Sequence, residues 1–166
     1  MSDYDKKFRC FKIMLEVKFY KTSDIDDSLL DFAVIVARYK GKWIWVKNKT
    51  RKSWEVPGGR REKKEAILET AKRELYEETG ATEYEIKPVC IYSVLKDTYF
   101  DDAIHYPEKE SYGLLYFAEI TELGSLPDNE IEMIDFFDEA PINLSFPLIQ
   151  PLLIERVKDN LTHRHH

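Results

Sequence analysis

The chain has 166 residues, of which 43% are hydrophobic and 34% are charged, and these proportions are typical of a soluble globular protein with its own core. The formal net charge of −6 argues against a general nucleic-acid coat protein, and no apolar run approaches the ~18 residues of a membrane span. With only two cysteines, a disulfide framework and a Cys-rich zinc site are disfavoured, and a cytoplasmic location is expected. We expect one domain over residues 1–166, with residues 163–166 either a tag remnant or a natural tail.

The first third of the chain is typical of β-strands joined by turns. The segment "KIMLEVKFY" alternates apolar and more polar residues, which predicts a half-buried strand. The segment "FAVIVARY" is continuously apolar, which predicts a strand buried on both faces. A "KG" turn then leads into "KWIWVKN", the expected second arm of a hairpin. Residues 54–56 form a further short extended piece, which is ended by Pro57 and two glycines.

Helical patterns follow in the rest of the chain, separated by further strands. Residues 63–79 contain no Gly or Pro and are rich in Glu, Lys, Ala and Leu, which predicts a helix that ends before Gly80. Three later segments are predicted strands: "YEIKPVCIYSVLK", "YGLLYFAEI" and "IEMIDFFDEAP". A polar and aromatic loop is expected over residues 97–110, long enough to be functional. Residues 146–161 carry apolar side chains at helical spacing, with Pro151 near the start, which predicts a last helix.

The first predicted helix carries three acids in its last turns, Glu74, Glu77 and Glu78. A carboxylate near a helix C-terminus is disfavoured by roughly 0.3–1 kcal/mol, and acids three or four residues apart repel one another. At ~100° per residue, Glu74 and Glu78 share a sector with Ile67 and Ala71, so we expect them to face the interior. No basic residue follows them within four positions, and unpartnered inward carboxylates are costly to keep ionised. Because Mg²⁺ and Mn²⁺ prefer carboxylate oxygen, a divalent metal site is predicted here.

The segment "GRREKKEAILETAKRELYEETGA", residues 59–81, resembles the 23-residue signature of the Nudix hydrolases. The matching fixed positions are Gly59, Glu65, Arg73, Glu74, Leu75, Glu77, Glu78 and Gly80. The preceding "WEVPGG" is similar to the run that commonly leads into this signature. The resemblance implies an α/β fold, namely an α/β/α sandwich with a mixed β-sheet and a loop–helix–loop catalytic motif. It also implies hydrolysis of a nucleoside diphosphate linked to another group.

The same resemblance implies roles for individual residues and a Mg²⁺ or Mn²⁺ cofactor. Carried over position by position, the implied metal ligands are Glu74, Glu77, Glu78 and the carbonyl of Gly58 or Gly59. Glu65 and Arg73 would brace this platform. Judged by spacing alone, Arg73 could instead pair with Glu69, four positions earlier, on a solvated helix face. The general base is either a glutamate of the helix or a carboxylate outside the motif, for which Glu110 and Glu130 are candidates.

A basic stretch over residues 47–64 contains eight Lys or Arg residues against two Glu residues. It is either a solvated surface or a region that attracts the polyphosphate of a substrate. Arg51, Arg60 and Arg61 are the preferred candidates for binding phosphate. Five aromatic residues are candidates either for stacking on a base or for packing the fold: Trp43, Trp45, Tyr99, Phe100 and Tyr106.

The substrate is less narrowly indicated than the chemistry. The phrase "RKSWEVPGG", after "GKWIWVKNKT", resembles the MutT-like members of the family, which implies hydrolysis of a (deoxy)nucleoside triphosphate, including oxidised ones such as 8-oxo-dGTP, to monophosphate and pyrophosphate. Hydrolysis of dinucleoside polyphosphates, ADP-ribose or capped RNA 5′ ends stays open, and so does a non-catalytic nucleotide-sensing module. The expected partner is a small-molecule nucleotide, with no membrane and no stable nucleic-acid partner, for a monomer or homodimer.

Overall fold

The computed structural model describes residues 11–100, 104–107 and 110–164, and side chains within residues 15–96 and 110–164. Within these residues nine strands form one sheet: β1 Phe11–Tyr20, β2 Leu30–Tyr39, β3 Lys42–Asn48, β4 Trp54–Glu55, β5 Gly58–Arg60, β6 Ala81–Phe100, β7 Ile104–Pro107, β8 Ser111–Leu123 and β9 Ile131–Phe137. The helices are α1 Ile67–Thr79 and α2 Gln150–His163. No helix in the described part of the chain is both long and apolar enough to span a membrane.

The sheet is mixed, and β2 lies near its centre. The main strand order is β1-β6-β8-β2-β3-β4, with β5 paired to β2, β7 to β6 and β9 to β3. β2 runs parallel to β8 and antiparallel to β3 and β5. Val34 of β2 therefore lies opposite both Leu115 of β8 and Gly58 of β5. This pairing places the glycine-rich β5 directly beside the buried centre of the sheet.

The two faces of the sheet pack against different helices. Ala33 and Ile35 of β2 belong to the core beneath α1, whose inward residues are Ile67, Ala71 and Leu75. On the opposite face, Val36 belongs to a second core that includes residues of α2, namely Leu153, Ile154 and Val157. The expected α/β fold with a mixed sheet between helices is confirmed. β2 is buried on both sides, as its continuous apolar sequence predicted.

Helix α1 begins at Ile67, so the predicted start at residue 63 is wrong. Lys64 has a left-handed backbone with φ +68°, and Ala66 is extended with φ −70° and ψ 149°. Good helix formers therefore occupy a loop because tertiary packing overrides their propensity. The predicted end is confirmed, since Gly80 adopts φ 78° and its N–H donates to the carbonyl of Tyr76 at 2.8 Å.

The loop predicted over residues 97–110 is largely absent from the described backbone. β6 continues to Phe100, and β7 returns beside it, with Thr98 opposite Tyr106. β1 also pairs along this part of β6, as far as Phe11 opposite Phe100. Backbone partners on two sides favour an extended strand over the loop that the polar sequence suggested. Three of the aromatic candidates have side chains outside the described residues, namely Tyr99, Phe100 and Tyr106.

Candidate active site

Arg73 is the centre of an ion-pair network on α1. Its Nε donates to Glu65 at 2.7 Å, and its Nη1 donates to Glu74 at 2.8 Å and to Glu77 at 3.3 Å. The alternative pairing with the exposed Glu69 is wrong. The expectation that Glu74 and Glu77 lack basic partners is also wrong, because Arg73, which precedes both in the sequence, pairs with each of them. Hydrogen bonding from Arg73 lowers the pKa of Glu65 to about 2.

Glu74 and Glu78 face the interior, as their helical positions predicted. They are 8% and 6% exposed, respectively, whereas the Glu77 side chain is 44% exposed. Burial raises the pKa of Glu78 to about 9 and also raises the pKa of Glu74. The backbone N–H of Gly58 donates to Glu78 at 2.7 Å. Two desolvated carboxylates therefore lie side by side where their negative charge is unfavourable.

The backbone of β5 makes close approaches that only glycine permits. A Cβ on Gly59 would overlap the carboxylate of Glu74, and a Cβ on Gly58 would lie 2.6 Å from the carbonyl oxygen of Ala33. Gly58 is thereby fitted against β2, and Gly59 against α1. The glycine pair places the main chain directly against the acids of the motif.

Of the acids of the motif, Glu78 lines a cavity of about 540 Å³ between the sheet and the start of α2, a volume in the range of ligand pockets. Its polar lining includes Glu78, Glu130 and Glu55, and its apolar lining includes Phe32 and Tyr92. Glu55 was missed by the sequence analysis, although it lies within the quoted "WEVPGG". It is 6% exposed, a burial that its place between a tryptophan and a valine in a short strand could have suggested.

The two candidate general bases occupy different places. Glu130 lines the cavity, and its charge contributes to the raised pKa of Glu78. Glu110 is not among the lining residues, and its carboxylate accepts hydrogen bonds from Ser93 at 2.6 Å and from Tyr20 at 3.0 Å. These hydrogen bonds lower the pKa of Glu110. Tyr20 packs against the core beneath α1, whereas Tyr92 of the cavity belongs to the opposite core.

The three candidate arginines also occupy different places in the structure. Arg51 and Arg60 line the cavity, whereas Arg61 donates to the carbonyl oxygens of Glu65 at 2.6 Å and Asp27 at 2.9 Å, which gives it a structural role in the loop. Arg51 donates to both oxygens of the Glu55 carboxylate, at 2.7 and 2.9 Å. Arg60 is exposed at the border between the cavity and a neighbouring open cleft.

Other members of the basic stretch and the aromatic set have structural partners. Lys49 pairs with Asp128 at 3.2 Å, and Lys52 pairs with Glu132 at 3.2 Å. Trp45 is 1% exposed and is packed in the core that contacts α2. For Trp43 and Trp45, packing is therefore the correct alternative. Phe32 and Tyr92, which the sequence analysis did not select, line the cavity in their place.

The donor set fits a hard divalent cation. Glu74 and Glu78 offer carboxylate oxygens removed from water, and a nearby positive charge would offset the cost of ionising them. Within residues 15–96 and 110–164, no three Asp, Glu, His or Cys side chains are grouped closely enough to hold a metal ion by themselves. Arg73 and the Gly58 N–H hold the two carboxylates in this arrangement.

Comparisons with known proteins agree with this geometry. The NUDIX domain profile matches residues 28–153. YtkD of Bacillus subtilis strain 168, provisionally named an 8-oxo-dGTP diphosphatase, is 35% identical over 112 residues, which are 67% of this chain and 64% of YtkD. The chain thus spans less than two thirds of that relative's length.

Solved structures show the same architecture. A variant of the Bacillus subtilis pyrophosphohydrolase BsRppH superposes with a TM-score of 0.69 at 25% identity, covering 87% of this chain and 90% of that one. The NUDIX domain of Shewanella oneidensis NrtR, solved with ADP ribose, superposes with a TM-score of 0.60 at 17% identity, covering 84% and 95%. Because the identity to the NrtR domain is only 17%, this similarity is evidence for the fold alone.

Proposed function

We propose that this chain, which belongs to the Nudix hydrolase family, hydrolyses a nucleoside triphosphate to a monophosphate and pyrophosphate. The observation that carries the proposal is the buried pair Glu74 and Glu78, which lie against Gly59 and Gly58, with Glu78 and both glycines lining a cavity of about 540 Å³. A cavity of this volume accommodates a nucleotide. The provisional name of YtkD favours a triphosphate, including 8-oxo-dGTP, over the other substrates of such enzymes.

In this proposal the ligands of Mg²⁺ or Mn²⁺ are Glu74, Glu77, Glu78 and the backbone of Gly59. A bound divalent cation supplies neutralisation of phosphate charge and a lowered pKa for a water molecule. Glu65 holds Arg73, and Arg73 in turn fixes the orientation of Glu74. Because burial raises the pKa of Glu78, its ionised form is favoured when a cation is bound beside it.

Glu130 is the proposed general base, because it lines the cavity together with Glu78 while Glu110 does not. Arg51 and Arg60 are the proposed phosphate contacts. Arg51 is already oriented by Glu55 through two hydrogen bonds from one nitrogen, which leaves its other guanidinium donors for a phosphate oxygen. Arg60 is exposed and lines the same cavity. Arg61 is not a proposed substrate contact, because its guanidinium donates hydrogen bonds to Asp27 and to the carbonyl of Glu65.

The test is Mg²⁺-dependent turnover of common (d)NTPs, 8-oxo-dGTP, ADP-ribose and a dinucleoside tetraphosphate, with products separated by ion exchange. Monophosphate plus pyrophosphate from a triphosphate is the expected result. Cleavage confined to ADP-ribose or the dinucleotide would overturn the substrate. Nucleotide binding without any turnover would instead indicate a sensing module. As a separate readout, Mg²⁺ or Mn²⁺ should raise the Tm of the wild type but not of the Glu74→Gln, Glu78→Gln double variant.

A further inference from the structure

The loop between β8 and β9, residues 124–130, carries Glu130 and is held by backbone hydrogen bonds at both ends. The N–H of Lys49, which directly follows β3, donates to the carbonyl of Glu130 at 2.8 Å. At the start of the loop, the N–H of Gly124 donates to the carbonyl of Gly80 at 2.7 Å. The main chain of Glu130 is therefore fixed to the end of β3, while its exposed side chain lines the cavity of about 540 Å³.

Asn129 joins the same loop to α1. Its Nδ2 donates to the backbone carbonyl of Glu77, and its Oδ1 accepts from the N–H of Ile131 at 2.8 Å. These partners fix the orientation of the amide, because Nδ2 only donates and Oδ1 only accepts. Glu77 lies in the last turn of α1, where carbonyl groups lack partners within the helix. Among the described residues, this is the one hydrogen bond between a side chain of the loop and α1.

The hydrogen bond from Asn129 connects two parts of the proposed catalytic machinery. Its acceptor belongs to Glu77, a proposed metal ligand beside Glu78, and its donor is the neighbour of Glu130. Glu130 lines the cavity together with Glu78, and its negative charge contributes to the raised pKa of Glu78. Within the described part of the chain, the Glu130 carboxylate forms no hydrogen bond or ion pair of its own. The position of this carboxylate therefore depends on the main chain that carries it.

We propose that Asn129 is a positioning residue, which sets the distance between the Glu130 carboxylate and the metal-binding end of α1 by fastening the loop to the carbonyl of Glu77. A general base must lie about 2.6–3.2 Å from the group that it deprotonates or act through one water, and a misplacement of about 1 Å can lower the rate ~10²-fold. Without the hydrogen bond from Asn129, Glu130 stays attached to β3 but is released from α1. The inference rests on the proposed function only in taking Glu130 as the base, whichever nucleotide is cleaved.

The test is a double-mutant cycle between Asn129 and Glu130. Asn129→Ala removes both side-chain hydrogen bonds. Asn129→Asp keeps the acceptor for the N–H of Ile131 and removes only the donor to Glu77. Each substitution is made in wild type and in Glu130→Gln. kcat, KM and the Mg²⁺ concentration for half-maximal rate are measured on the nucleotide that wild type cleaves best, radiolabelled so that the residual turnover of Glu130→Gln is measurable.

We expect both Asn129 variants to lower kcat about 10- to 100-fold in the wild-type background, with KM and the Mg²⁺ requirement within about twofold of wild type. In the Glu130→Gln background the same substitutions should change kcat by less than about twofold, because the group that they displace is already inactive. Asn143→Asp is the matched control, since Asn143 Nδ2 also donates to a backbone carbonyl, that of Lys52, at 3.2 Å. It should match wild type.

Equal losses in both backgrounds, or a raised Mg²⁺ requirement, would show that Asn129 acts on α1 itself and would overturn the proposal. Unchanged kcat in the Asn129 variants would also overturn it. Thermal melts accompany the kinetics, and Asn129→Asp decides if Asn129→Ala does not fold.

The cycle also distinguishes this proposal from the proposed function. Triphosphate turnover with additive losses would support the proposed function and reject the role of Asn129. A non-additive cycle on ADP-ribose or a dinucleotide alone would support the role of Asn129 and overturn the proposed substrate. Absence of turnover on every nucleotide would overturn both.

Discussion

Glu78 accepts a hydrogen bond of 2.7 Å from the backbone N–H of Gly58, a residue twenty positions earlier in the chain. Glu78→Gln keeps an oxygen for this hydrogen bond but loses the charge that a metal ligand needs. We therefore expect turnover to fall by at least ~10², with a Tm close to that of wild type. Glu69→Gln, an exposed acid on the same helix, should leave turnover unchanged. Near-normal turnover of Glu78→Gln would remove Glu78 from the proposed ligand set.

Glu130 and Glu110 should respond in opposite ways to the same substitution. Glu130→Gln should lower kcat by ~10²–10⁴ with little effect on Tm, because Glu130 is exposed and lines the cavity. Glu110→Gln should leave kcat unchanged and lower Tm, because the charged hydrogen bonds from Tyr20 and Ser93 are weakened. Steady-state kinetics and thermal melts of both variants check this. A loss of kcat confined to Glu110→Gln would reverse the assignment of the base.

Gly59→Ala should impair catalysis more than folding. The added Cβ would overlap the carboxylate of Glu74, which is the flexible end of a side chain and can be displaced. We expect a loss of turnover of at least ~10², since small displacements of catalytic groups have effects of this size, with a modest decrease in Tm. Gly124→Ala, where the nearest atom would lie 3.2 Å away on Thr82, is the control. Equal activity in the two alanine variants would show that Glu74 does not need its present position.

Glu65 should make stability depend on pH in the acid range. Arg73 lowers the pKa of Glu65 from 4.5 to about 2, so the unfolded chain binds more protons than the folded chain between these values. The stabilisation is therefore fully present above about pH 4.5 and is lost as the pH falls towards 2. Urea unfolding at several pH values should show a loss on the order of 1–3 kcal/mol from this group. Glu65→Gln should flatten this part of the profile, and Glu69→Gln should not.

The helix and its inward acids could be predicted because they are local features of one segment. Spacing places Glu74 and Glu78 on the apolar side of α1, and Gly80 ends the helix through its left-handed backbone. The start of α1 could not be found in the same way, since residues 63–66 have helical propensity but are held in a loop by contacts with other segments. Helical spacing alone suggested Glu69 as the partner of Arg73, because spacing within the helix carries no information about Glu65, which lies before the helix and is the actual partner.

The cavity is a product of the topology. Its walls come from β2, β6 and the start of α2, segments far apart in the sequence. No local pattern distinguishes Gln150 from a surface residue at a helix start, and Tyr92 has the same alternation as any strand residue. Only the pairing of β6 and β2 with β8 and the packing of α2 bring them together. The topology also distinguishes Glu130, which lines the cavity, from Glu110, which does not, whereas the sequence offered both as equal alternatives.

Alternate residues of β2 serve opposite sides of the molecule. Phe32 and Val34 line the cavity, whereas Ala33 and Ile35 support α1. Inserting or deleting one residue within β2 would exchange the two sets, so that the cavity wall would be turned towards the helix. The register with Gly58 would be lost at the same time. The shape of the cavity wall can therefore be altered through β2 only by replacing Phe32 or Val34, and not by a change in the length of the strand.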